Sequence, residues 1–128
     1  YPNKIVRIPV APHSELVQWT SGAYVGLLPY EDFGMNHMYC TPNKLWEYPN
    51  AGVPIVASPR VELKRIIERN NMGWIYDESL GANALAEFVM LHSTLDHDEK
   101  VKSCRQFIQV NNWMKYEEGI FRLYDSLS

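Results

Sequence analysis

Cysteine is scarce in this sequence, and so are the marks of several simple functional classes. Cys40 and Cys104 stand far apart and match no zinc or redox spacing. They suggest a reduced, intracellular chain, with a single disulfide between them as the open alternative. No apolar run approaches the roughly 20 residues needed to span a bilayer, and no signal-peptide pattern appears. The expectation is a cytoplasmic protein. Internal repeats and low-complexity linkers are absent. Charge of one sign is also missing: the net charge is -3 at pH 7 and the pI about 5.8. This gives no general footprint for nucleic acid or an anionic membrane, so any phosphate-binding surface must be local. No serine or cysteine sits in a recognisable nucleophile elbow, which removes the common hydrolase arrangements.

What remains suits one domain over residues 1–128 with a single moderate core. Three short apolar runs read as buried strands: "AYVGLL" at 23–28, "VPIVAS" at 53–58 and "GWIY" at 73–76. The first two lack polar alternation, as parallel strands covered on both faces do. "KIVRIP" near the start is a weaker fourth candidate. Helical segments alternate with them. "HSELVQWTS" starts with His13 or Ser14 near its cap. "VELKRIIERNN" carries Val61, Leu63, Ile66 and Ile67 on one side and has Gly73 shortly after its end. Three further helices follow, the last with an apolar stripe of Ile120, Leu123, Tyr124 and Leu127. The expected fold is α/β, a Rossmann-like parallel sheet of about four strands with helices on both faces. In such sheets ligands gather beyond the carboxyl ends of the strands. The longest loop-like segment, "LLPYEDFGMNHMYCTPNK", leaves one of those ends, and its length favours binding.

The segment "TPNKLWEYPNAGVPIVAS" (41–58) carries the most chemistry. Thr41 is a good N-cap and Pro42 fits the first helical position. The amides of Asn43 and Lys44 would then stand unpaired at the positive end of a helix, where phosphate binds. Lys44 adds a full charge. Glu47 lies four residues after Asn43 and three after Lys44, so the three share a face. Its carboxylate can accept hydrogen bonds from a pair of sugar hydroxyls. Phosphate at the helix start and ribose one turn along make a nucleotide arrangement. The competing reading is a surface Lys44–Glu47 ion pair worth ~0.2–0.5 kcal/mol. Pro49 predicts a short or kinked helix, disrupted near Tyr48 and finished by Gly52.

"PNKLWEYPNAGVPIVAS" resembles the carboxyl-terminal half of a GT-B glycosyltransferase of the retaining group 1 type. The order of the other pieces agrees: "AYVGLLPY" before the motif, "ELKRIIERNNMGWIY" after it, and "NNWMKYEEGIFRLYDSL" at the close. The resemblance implies that Glu47, matching the second glutamate of the family's Glu-x7-Glu motif, holds the donor ribose. It places amides around Pro42, Asn43 and Lys44 against the donor diphosphate, with Thr41 capping the helix and touching phosphate. The loop at 30–39 would lie beside the transferred sugar or nucleotide. Tyr39 stands where the family has its first glutamate and cannot supply the same charged contact. Tyr30, at a strand end, suits a ligand role and a loop-packing role equally.

The implied substrate is a nucleotide diphosphate sugar, transferred to an acceptor by a parent hexosyltransferase. No metal or resident cofactor is implied. A complete GT-B enzyme has two Rossmann-like domains, and the acceptor-binding first domain has no counterpart here. The basic pair usually placed in the opening strands is also missing, and Arg7 does not replace it. The start at Tyr1 agrees with a domain fragment, inactive as a transferase by itself. Its parent is placed in the cytoplasm or at the cytoplasmic membrane surface. A sheet edge left uncovered by truncation would favour self-association. Two other readings are a non-enzymatic interaction module using the 30–39 loop with Met35 and Met38, and another GT-B relative such as a nucleotide-sugar epimerase. His37 and Cys40 lack the second close pair that a zinc site needs. His92 and His97 read as helix-end or surface residues, the run from Asp96 to Lys100 as a helix-start cap, and Trp46, Trp74 and Trp113 as core.

Overall fold

The computed structural model describes residues 5–127. At its centre lie three short parallel strands, β1 (Gly26–Leu28), β2 (Ile55–Ala57) and β3 (Gly73–Ile75), in the order β1-β2-β3. Leu27 pairs with Val56, and Val56 with Trp74. The expected α/β class is present, but among the described residues the sheet has three strands rather than four. The fourth candidate, "KIVRIP", begins outside the described residues. Its remainder, residues 5–9, pairs with no strand and is exposed. Pro9 has no N–H to give a ladder.

Seven helices are described: α1 (Leu16–Thr20), α2 (Met35–Tyr39), α3 (Lys44–Asn50), α4 (Val61–Arg69), α5 (Gly81–Leu95), α6 (His97–Val110) and α7 (Trp113–Ser126). Helices cover both faces of the sheet. Ile55 and Ala57 of β2 pack with Leu45 of α3 and with Leu63 and Ile67 of α4. Val56 points the other way, into a cluster with Trp74 and Tyr76 that α5 closes with Leu85, Phe88 and Val89. Uninterrupted apolar runs are therefore what this sheet requires. On the outer side of α3, the Trp46 and Phe107 rings stack 5.4 Å apart and join α3 to α6.

Two turns explain the glycine pattern. At the end of α3, Val53 donates to the Tyr48 carbonyl (2.9 Å) and Gly52 to that of Pro49 (2.9 Å), with Gly52 at φ 73°. This is a Schellman closure. The helix thus runs through Pro49 to Asn50, further than the expected disruption near Tyr48. Helix α4 closes in the same way, with Met72 bonded to Ile67 (3.1 Å) and Asn71 to Glu68 (3.2 Å). Here Asn71 takes the left-handed conformation at φ 53°. Gly73 opens β3, as the reading of "GWIY" at 73–76 as a strand expects. A Cβ on it would lie 1.9 Å from the Ile55 carbonyl oxygen.

Both described cysteines are free, and Cys104 is buried with its thiol facing the carbonyls of Met72 (3.5 Å) and Val53 (3.6 Å). Burial pushes its pKa from an ordinary 9.0 up to about 12. The folded chain then holds a proton that the unfolded chain releases above about pH 9, so stability falls as pH rises through that window. The loss is on the order of 4 kcal/mol by pH 12. Urea denaturation from pH 8 to 11 should show a steeper decline for the native chain than for Cys104→Ala. Parallel declines would contradict this account.

Candidate functional site

Helix α3 enters the site later than the sequence suggests. Asn43 already has helical angles (φ -52°, ψ -34°), the first bond runs from Leu45 N to the Pro42 carbonyl (2.9 Å), and no side chain caps the end. Thr41 is exposed and outside the helix, so its expected capping role is corrected. Pro42 supplies the first acceptor carbonyl rather than the first helical residue. The amides of Asn43 and Lys44 find no acceptor among the described residues. With seven residues, α3 contributes only a short dipole. Lys44 is the stronger positive element here.

Two contacts fix the position of this helix. Leu45 is fully buried in the core beneath it. The Tyr48 ring lies over β1, where a Cβ on Gly26 would stand 2.5 Å from it, and the Tyr48 hydroxyl donates to the Leu27 carbonyl (3.3 Å). Gly26 thus lets the helix settle directly on the sheet, carrying Glu47 outward.

Glu47 and Asn43 line a cleft of about 590 Å³. Trp46 and Asn50 of α3 share its wall, and the α6–α7 junction supplies Asn111, Asn112, Trp113 and Tyr116 opposite. The Glu47 side chain is 34% exposed and pairs with Lys44. The carboxylate is thus turned neither into the core nor fully into solvent. The ion pair is the competing arrangement anticipated from the sequence. Such exposed i,i+3 pairs contribute little, ~0.2–0.5 kcal/mol, so a ligand can separate the partners cheaply.

The 30–39 loop is less loop-like than it reads. Gly34, at φ 102°, precedes α2, a short helix where a loop was expected. Tyr39 ends α2 and is exposed. Tyr30 is held elsewhere: its N–H donates to Ser58 Oγ (2.9 Å), and its carbonyl accepts from Arg60 Nε (2.7 Å). Its ring meets His37 edge-on at 5.7 Å and packs against the core. Tyr30 therefore takes the packing arrangement, and neither Tyr30 nor Tyr39 lines the Glu47 cleft.

Arg60 was not singled out from sequence, yet it is nearly buried and ties together the segments beyond all three strands. It bonds Tyr30 after β1 and pairs with Glu78 after β3, while itself following β2. The neighbouring Ser58 hydroxyl and the Arg60 guanidinium hold the Glu78 carboxyl below its ordinary range. No local motif announces this tie, because its members are brought together only by the parallel topology.

Other charged and aromatic residues also find their places. Asp96 stands at the start of α6, but its carboxylate accepts from Trp74 Nε1 (3.2 Å) and pairs with Lys100 (3.4 Å) instead of capping the helix. The His97 ring stacks on Tyr24 at 3.8 Å. His92 lies against Phe88 at 4.3 Å. Trp74 is buried as expected, but Trp113 is 68% exposed, which corrects its assignment to the core. Among the described residues, no group of three or more His, Cys, Asp or Glu is placed to hold a metal ion. No helix among them is long and apolar enough to cross a membrane.

No family model matches the chain, and no curated protein or solved structure matches it.

Proposed function

We propose that this chain is the donor-binding domain of a GT-B glycosyltransferase that takes a sugar from a nucleotide diphosphate sugar. The observation that carries the reading is Glu47, a partly buried carboxylate one turn into α3, opening with Asn43 onto a cleft of about 590 Å³. The free amides of Asn43 and Lys44 adjoin it. On binding, Lys44 moves from Glu47 to the diphosphate and Glu47 turns to the ribose diol. Two opposite chemistries thus sit one helical turn apart, matching the anionic and hydroxyl-bearing ends of a nucleotide. Transfer itself belongs to a parent with an acceptor domain, because donor and acceptor must be brought together. The departing diphosphate is stabilised by amides and a lysine, in the manner of preorganised electrostatic sites.

Calorimetric titration of UDP- and GDP-sugars into the chain tests the proposal. Glu47→Ala removes charge-assisted hydrogen bonds worth ~1.5–3 kcal/mol, so Kd should rise by about tenfold to a hundredfold. An unchanged Kd in a folded Glu47→Ala protein rejects the ribose role. If neither donor binds the native chain, a second reading gains. Phe33 and Met35, 75% and 77% exposed, then mark the 30–39 segment as a protein contact.

A further inference from the structure

The cleft beside Glu47 has a second, aromatic wall. Trp113 and Tyr116 are large aromatic residues on the first turn of α7, 68% and 54% exposed. Both line the same cleft as Asn43 and Glu47. Among the described residues, no ring stacks on either of them.

Their positions are fixed by hydrogen bonds. Asn112 Oδ1 accepts from the Lys115 amide (3.2 Å) and caps α7, while its Nδ2 donates to the Ile108 carbonyl (2.9 Å). Asn111 Nδ2 donates to the Phe107 carbonyl (3.0 Å), and the Tyr116 hydroxyl donates to Asn111 Oδ1 (3.4 Å). The asparagine pair therefore anchors the turn between α6 and α7 and sets both rings at the cleft. Exposed aromatic side chains held at a cleft edge are suited to stacking, since every nucleobase offers a π-face.

Resting on the donor reading above, we propose that Trp113 and Tyr116 are the base-binding wall of the cleft. A nucleoside has two chemically distinct parts, and the cleft offers a surface to each. Uncharged rings on one wall suit the base, and the Glu47 carboxylate on the other suits the diol. The volume lies within the ~300–1,000 Å³ usual for small-molecule sites.

The test uses UDP and GDP, titrated into the native chain and into Trp113→Ala, Trp113→Phe and Glu47→Ala, with circular dichroism to confirm folding. Trp113→Ala should weaken both nucleotides about tenfold or more, and Trp113→Phe should restore most of the affinity. UDP should quench tryptophan emission of the native chain, and the quench should shrink in Trp113→Phe even where affinity is kept. Native affinity in folded Trp113→Ala, together with loss in Glu47→Ala, overturns the base wall and leaves the donor reading standing. A quench of full size in Trp113→Phe also overturns it. No binding by the native chain overturns both.

Discussion

Gly73→Ala is expected to cost more than ~4 kcal/mol, most of the reserve of a small domain. The cause is steric. An alanine Cβ would stand 1.9 Å from the Ile55 carbonyl oxygen and 2.7 Å from its carbon, both of them backbone atoms. No rotamer change relieves a backbone clash, so β3 must move away from β2. That movement breaks the bond from Ile55 N to the Met72 carbonyl (3.0 Å) and opens the packing of Val56 against Trp74. Gly119→Ala supplies the contrast. It lies inside α7 with nothing within 4 Å of the added Cβ, so it should stabilise the helix by up to ~1 kcal/mol. Urea denaturation of the two variants measures both effects, and a mild loss for Gly73→Ala would contradict the strand spacing described here.

Arg60→Met should destabilise the chain by about 2–4 kcal/mol. The substitution keeps an aliphatic stem but removes the bond to the Tyr30 carbonyl and the partner of Glu78. Glu78 is 47% exposed at its side chain and can regain water, which places the loss below that of a fully buried pair. Tyr30 N keeps its bond to Ser58, so the segment after β1 should loosen rather than detach. Hydrogen exchange should therefore quicken around residues 30–39 before the core is affected. Arg65→Met is the control, since its pairing with Glu62 on α4 is solvent-exposed, and its denaturation midpoint should not move. Equal midpoints for Arg60→Met and Arg65→Met would refute the tie.

The sequence made the strand cores and most helices legible because their signals are local. "VPIVAS" needs no long-range information to read as a strand buried on both faces, and β2 contributes to both clusters. The periodicity of "VELKRIIERNN" likewise placed Leu63 and Ile67 in the core, with Ile66 half-buried, while Val61 of the same face is exposed. Readings failed where one residue type serves two uses. The left-handed turn after α4 falls on Asn71, which was not expected there, while Gly73 makes the close contact of the strand it was assigned to. Thr41-Pro42 looked like a cap and first turn, yet the chain delays α3 to Lys44. The apolar stripe expected on α7 is formed by Ile120, Leu123, Tyr124 and Leu127, and all four are exposed. Periodicity records which residues share a face and says nothing of what covers it.

The candidate site was legible in the same uneven way. Asn43, Lys44 and Glu47 were found because helical spacing places them together, and the structure does bring Asn43 and Glu47 to one cleft. The opposite wall is some 65 residues further along the chain, where only tertiary packing can deliver it. Tyr30 and Tyr39 were grouped with the site by loop proximity and are held apart from that cleft, Tyr30 by Ser58 and Arg60.

The proposed nucleotide site sets an anion against the first amides of α3 and a diol on Glu47. Recording ¹⁵N–¹H spectra of the chain during titration with UDP addresses it most directly. Saturable shifts of the Asn43 and Lys44 amides together with Glu47 are expected. Shifts confined to other parts of the fold, with these three unmoved at saturating nucleotide, would contradict it.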